Sequence, residues 1–239
     1  MSDHIWCRFL TERDKKVFAA AGYGVRGHFP TRPAVFLVDC NQGHVSGAGA
    51  CPGASEAIEQ AARVAEAARS RGIPVIHATG AVRADGWDAV NRDGVVLPSD
   101  PVAEQEFASV LTPLPRDIVV RRHAPSVFFE TDLMSLLNLL GADGLVIAGG
   151  KTAGALRATA IDAFSLNLRV TIPHEACFDL WEASHALALC DLNAKHADVM
   201  PCKEVCDLLT ALPAGIFDLP QGAPDQRLEL MPARPKDVR

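Results

Sequence analysis

The segment Ala34-Val35-Phe36-Leu37-Val38 is apolar at every position and ends in Asp39. A strand with no polar face has to be covered on both sides, which is the situation of a central strand in a parallel sheet flanked by helices. The pattern recurs along the chain. Short apolar strands are predicted at Pro74–Ala78, Asp117–Val120, Gly144–Ala148 and Arg169–Ile172. Helical patterns lie between and after them. One is capped by Ser55, carries Ile58, Ala61, Ala62, Ala65 and Ala68 on one face, and stops at Gly72. A second is capped by Thr131 and runs through Leu140; a third follows Lys151 and runs through about Leu166. Two more are predicted at about Ala183–Ala194 and at Cys202–Ala211. Strand alternating with helix five times over predicts a single doubly wound parallel α/β sheet with right-handed crossovers.

The 239 residues suit one large domain, predicted over 31–212, with an N-terminal arm over 1–30 and an extended Pro-rich tail over 213–239. In the arm, Thr11 offers a helix cap, and Gly22, Gly24 and Gly27 end the pattern that follows. Residues 79–115 read as a loop-rich stretch. Hydrophobic residues at 49% are enough for a sizeable core without metal or disulfide staples. The net charge of -6 argues against a nucleic-acid partner, which calls for a concentrated basic surface. No apolar run approaches the ~20 residues of a membrane helix, and Met1-Ser2-Asp3-His4 does not open a signal peptide. Seven scattered cysteines fit a reducing compartment, so the expected location is the cytoplasm, with no membrane partner.

In doubly wound sheets ligands bind beyond the carboxyl ends of the strands, at the switch in strand order. That rule selects Asp39, the Arg121-Arg122-His123 run and the segment Lys151 to Ala155. A carboxylate ending an apolar strand either caps the next loop or has chemistry to do. Arg122 could pair with it across the sheet edge. Gly149-Gly150-Lys151-Thr152 lacks the glycine spacing of a phosphate loop, which removes nucleotide binding. Cys202 and Cys206 have no further ligands at zinc spacing, and the eight histidines show no paired metal spacing, so neither a metal nor another cofactor is expected. Cys40, adjacent to Asp39, points to the opposite face.

The segments Phe36–Asp39, Pro125–Leu133, Gly154–Phe164, Glu175–Asp179 and Asp191–Val199, in this order, resemble the isochorismatase-like cysteine hydrolases, in particular the N-carbamoylsarcosine amidase branch. The resemblance spans most of residues 33–200. It implies the doubly wound fold, hydrolysis of amide, carbamoyl or related C–N bonds in small molecules, and a homo-oligomer, tetramer or dimer, with the arm and tail as exchange segments. Such enzymes use an Asp, a Lys and a nucleophilic Cys. The Asp falls on Asp39, the Lys position (four before the Ser of Ser126-Val127-Phe128) on Arg122, and the Cys position on Ala155. The oxyanion position, often beside a non-proline cis peptide, falls on Lys151.

Ala155 has no atom that can attack a carbonyl, and Arg differs from Lys in staying protonated and offering a planar fork. Three readings follow. The chain hydrolyses an amide, carbamoyl or enol-type metabolite with Asp39 as general acid or base, as isochorismatases that cleave a vinyl ether do without the Cys; or it is a Cys-dependent amidohydrolase carrying Ala in place of Cys at 155; or it binds a small molecule or a partner without turnover. Two cations beside one carboxylate favour a small anionic substrate under all three. Gln42, Phe128, Thr152, Trp181 and Cys177 are the expected pocket walls.

Overall fold

The computed structural model describes residues 4–46, 49–81 and 106–219. Its centre is a parallel sheet of seven strands: β1 (Pro33–Val38), β2 (Val75–Gly80), β3 (Ile118–Arg122), β4 (Gly144–Gly150), β5 (Arg169–Pro173), β6 (Cys177–Phe178) and β7 (Asp198–Met200). The order is β3-β2-β1-β4-β5-β7, with β6 paired to β4. The chain therefore moves outward from β1 through β3, then returns to β4 on the other side of β1 and moves outward again. The switch lies between β1 and β4, where Val38 is in register with Gly149. This is the single doubly wound sheet that the alternating pattern predicts.

Among the described residues seven α-helices accompany it: α1 (Glu12–Ala21), α2 (Gln42–Ser46), α3 (Ala54–Arg69), α4 (Leu133–Leu140), α5 (Arg157–Ser165), α6 (Glu182–Lys195) and α7 (Cys202–Ala211). The pleat divides the apolar strands between two cores. Ala34, Phe36, Val38, Leu145 and Ile147 pack with Ala160 and Ala163 of α5 and Leu189 of α6. Val35, Leu37, Val146 and Ala148 pack with Ile58, Ala61 and Ala65 of α3 and Val205 of α7. All six residues of β1 are buried, as a covered central strand requires.

Local differences from the sequence-based expectations have local causes. The helix expected from Ser55 begins at Ala54, because Gly53 takes the left-handed cap position with φ 72° and Ser55 falls inside the first turn. The helix expected from Thr131 begins at Leu133; the Thr131 hydroxyl donates to the Val127 carbonyl at 2.5 Å and accepts the Leu133 N–H at 3.3 Å. The helix after Lys151 becomes regular only at Arg157, after a wide turn over Thr152–Leu156. Two short strands, β6 and β7, and the short α2 inside the glycine-rich loop carried no readable period. In the arm, Thr11 accepts the Asp14 N–H at 3.2 Å while Asp14 accepts the Thr11 N–H at 2.8 Å, a reciprocal cap for α1.

Of the predicted 79–115 loop region, residues 82–105 lie outside the described residues, as do 220–239 of the tail. No helix among the described residues is long and apolar enough to cross a membrane. All seven cysteines are free thiols. Phe36 is fully buried at the centre of the sheet. Phe36→Ala removes a whole ring from a packed core and should cost about 3–5 kcal/mol, read as a lowered urea midpoint at unchanged m-value. A loss under ~1 kcal/mol would place Phe36 outside the stabilising core.

Candidate active site

Asp39 follows β1 with φ 48°, a left-handed conformation that Asp tolerates better than most side-chain-bearing residues. Its N–H donates to the Ala78 carbonyl at 2.8 Å, continuing the pairing of β1 with β2 for one more residue. The carboxylate forms an ion pair with Arg122 at the end of β3, two strands away. The guanidinium reaches it across the end of β2, where Arg122 is in register with Gly80, a residue with no side chain to obstruct the path. A second guanidinium nitrogen, Nη1, donates to the Ala124 carbonyl at 2.6 Å.

The pair is largely buried and incompletely satisfied. Asp39 Oδ1 and Arg122 Nε are both buried without a hydrogen-bond partner. Burial pushes the Asp39 carboxyl up from the ordinary carboxylate range. Arg122, the His44 imidazole and a hydrogen bond from the Gly80 backbone pull the other way, and burial outweighs them. A carboxyl with a raised pKa can hold a proton and hand it over, which an ordinary surface Asp at neutral pH cannot.

At the end of β4 the backbone is crowded. A Cβ on Gly149, whose φ is 109°, would stand 2.0 Å from the Val38 carbonyl oxygen. One on Gly150 would stand 2.4 Å from the Phe178 ring. Only glycine fits at either position, which explains the Gly-Gly step before Lys151. The Gly150–Lys151 peptide bond is cis, as the resemblance implies for this position. Lys151 is half-buried at the strand end and forms no salt bridge among the described residues. Ala155 is almost buried, in the same core as Val38 and Val127.

The predicted walls are placed differently. Phe128 is half-buried against the core that contains Ala155. Gln42, on α2, is exposed and donates to the Ser46 hydroxyl at 3.0 Å. Trp181 is 67% exposed at the entry to α6. The Thr152 hydroxyl is fully buried, bonded to the Phe178 carbonyl and to His185 Nδ1, each at 2.9 Å, so it is committed within the protein. The Cys177 thiol is buried in the core and directed to the Pro173 carbonyl at 3.4 Å, and burial holds it well above the usual thiol range.

Three residues not read from the sequence join the site. His44 on α2 acts electrostatically on Asp39, and its ring lies 5.5 Å from that of Phe178. Cys51 is within electrostatic reach of Lys151 and Asp179; burial raises its thiol pKa, while Lys151 opposes the shift. Asp179 accepts the Ala153 and Leu180 N–H groups, both at 2.7 Å. No spacing rule marks these residues, because they lie in a loop, just after a two-residue strand and on a short helix. The chain also returns to the site after the loop region: Gln42 N–H donates to the Glu106 carbonyl at 2.8 Å and Ala108 N–H to that of Cys40 at 3.0 Å. No group of three His, Cys, Asp or Glu side chains able to hold a metal occurs among the described residues.

Residues 33–204 match the isochorismatase domain. The chain belongs to the isochorismatase family. It is 30% identical over 199 residues to maleamate amidohydrolase of Pseudomonas putida, covering 80% of this chain and 92% of that protein. It is 28% identical over 238 residues to N-carbamoylsarcosine amidase of an Arthrobacter species, covering 94% and 89% of the two chains. A cysteine hydrolase from Pseudomonas syringae superposes with a TM-score of 0.69 at 22% identity, over 77% of this chain and 96% of that one. An isochorismatase-like protein from Burkholderia xenovorans superposes with a TM-score of 0.67 at 24% identity, over 78% and 91%. The two structural likenesses support the fold of this family member; the sequence relatives add that amide hydrolases are among its kin.

The Asp39–Arg122 pair predicts a signed pH dependence. Arg122→Met strands a buried carboxylate and should cost about 3–5 kcal/mol at pH 7.5. Without the cation the folded-state pKa of Asp39 rises further, so its charged form is penalised at high pH and the penalty fades as the pH falls through that pKa. Urea unfolding at pH 7.5 and pH 5 should therefore show a smaller mutational loss at the lower pH. An equal loss at both would mean that Asp39 is not the group Arg122 neutralises.

Proposed function

We propose that this chain hydrolyses a C–N bond in a small anionic carboxamide or carbamoyl compound, by a route with no covalent intermediate at position 155. The observation that carries this reading is the nearly buried Asp39–Arg122 pair at the strand-order switch, with Lys151 at the end of the neighbouring strand. Asp39 is the proton carrier, Arg122 orients its carboxylate, and Lys151 with the Ala155 N–H occupies the oxyanion position. The related amidohydrolases support the reaction class, because maleamate and N-carbamoylsarcosine are both anions with a C–N bond to be cleaved.

In the proposed step the Asp39 carboxylate takes a proton from water as its oxygen adds to the carbonyl carbon. The carbonyl π electrons move onto oxygen, facing the Lys151 ammonium. Collapse of the tetrahedral adduct re-forms the carbonyl and breaks the C–N bond, while Asp39 delivers the proton to the departing nitrogen. The products are a carboxylic or carbamic acid and ammonia or an amine. Burial serves both halves of the cycle, since a carboxyl with a raised pKa is a better base in its charged form and holds the proton for delivery to the nitrogen as the C–N bond breaks. Cys51 does not substitute for a nucleophile at 155, because a thiol raised by burial is scarcely ionised at neutral pH. A cytoplasmic homo-oligomer, dimer or tetramer, belongs to the same proposal.

Ammonia release from maleamate, N-carbamoylsarcosine and other short carboxamide and carbamoyl acids tests it, comparing the chain with Asp39→Asn and Ala155→Cys. Turnover by the chain itself, lost at least ~100-fold in Asp39→Asn, is the expected result. Turnover by Ala155→Cys alone would mean that the scaffold remains an amidase of the covalent type. Inertness of every form would leave the binding of a small molecule as the role of the site.

A further inference from the structure

The turn that carries Lys151 and Ala155 has little regular bonding of its own. It spans Thr152–Leu156 as a wide helical turn in which Gly154 leaves helical geometry, with φ −104° and ψ −112°. The Lys151 carbonyl accepts the Gly154 N–H at 2.9 Å and the Leu156 N–H at 3.3 Å, and regular helix begins only at Arg157. A segment of this kind takes its position from what surrounds it.

What surrounds it is β6 and the entry to α6. β5 pairs only with the first three residues of β4, and β6 takes over at the far end, with Gly149 opposite Cys177 and Gly150 opposite Phe178. Continuing that register by one residue places Asp179 beside Lys151. The Asp179 carboxylate accepts the Ala153 N–H on one oxygen and the Leu180 N–H on the other, both at 2.7 Å. These are short charge-assisted bonds, stronger than neutral ones. Thr152, one residue earlier, is tied to the Phe178 carbonyl and to His185 of α6.

We propose that Asp179 is the positioning residue of this site: by holding the Ala153 N–H it sets where Lys151 and the Ala155 N–H stand relative to Asp39. It touches no reacting atom and acts through the turn. The inference rests on the reading of Lys151 and the Ala155 N–H as the oxyanion position.

Amide hydrogen exchange and steady-state kinetics on the full chain test it, with Asp179→Asn and Asp179→Glu. Asn turns an N–H donor toward one of the two backbone donors, whereas Glu keeps the carboxylate. In Asp179→Asn, exchange at Ala153 and its neighbours in 152–156 should rise about ten- to a hundredfold, with β4 and the middle of α6 unchanged. Turnover of whichever carboxamide the chain cleaves should fall about tenfold or more in kcat with KM nearly constant, and Asp179→Glu should restore part of both. A general loss of stability would instead raise exchange throughout and leave the kcat of the folded fraction unchanged. Unchanged turn exchange in Asp179→Asn, or rapid exchange of the Ala153 amide in the unmodified chain, overturns the proposal; the second measurement stands even if the variant does not fold. If no compound is turned over, the assigned reaction fails, and the exchange measurements still decide whether Asp179 holds the turn.

Discussion

A buried carboxylate paired with a guanidinium across the end of an intervening strand organises one edge of this molecule. Asp39 sits where β1 leaves the sheet, and Arg122 where β3 does, so their contact requires the three strands β1, β2 and β3 to end level with one another. The strand between them closes with Gly80, which supplies a backbone hydrogen bond and no side chain. Desolvation makes such a pair expensive unless its geometry is held, and here it is held by a fully covered central strand. The rigid sheet thus holds a buried carboxyl and its guanidinium partner at one edge.

On the other side of the switch, crowding replaces charge as the controlling force. β4 approaches β1 so closely at Gly149, and β6 so closely at Gly150, that neither position has room for a Cβ. Lys151 emerges immediately after this constriction, and Asp179 and Thr152 hold the turn that follows. The Lys151 side chain is therefore carried on a backbone that glycines admit and a neighbouring strand restrains. The same restraint accounts for two residues that the sequence order brings close to the site without opening them to it. The Thr152 hydroxyl is consumed by Phe178 and His185, and the Cys177 thiol is directed to the Pro173 carbonyl across the short turn at His174–Ala176.

Family membership and site chemistry are separable here. The match over residues 33–204 and the doubly wound fold place the chain in the isochorismatase family. The side chains on that frame are Arg122, Lys151 and Ala155, where the resemblance implies a Lys, an oxyanion-hole residue and a Cys. A guanidinium that stays charged cannot exchange protons with substrate, so in the proposed reaction that task falls to Asp39. These three side chains are what the proposed reaction rests on: two cations near one buried carboxyl, with no sulfur at position 155.

The sequence alone determined the sheet and its sense, because continuous apolar strands alternating with amphipathic helices admit few other arrangements. It also determined that Asp39, Arg122 and Lys151 would end strands, and helices α6 and α7 were readable to within a residue or two. Beyond that, tertiary structure decided. β6 is too short to have a period, and α2 lies in a loop whose glycines conceal it, so nothing local marks the placement of Asp179 beside the Lys151 turn or of His44 near Asp39. The pairing of Asp39 with Arg122 joins residues 83 positions apart, and its protonation depends on burial, which belongs to the assembled sheet and not to either residue. Local spacing states which way a side chain leaves a regular strand; only the packed structure states what it meets there.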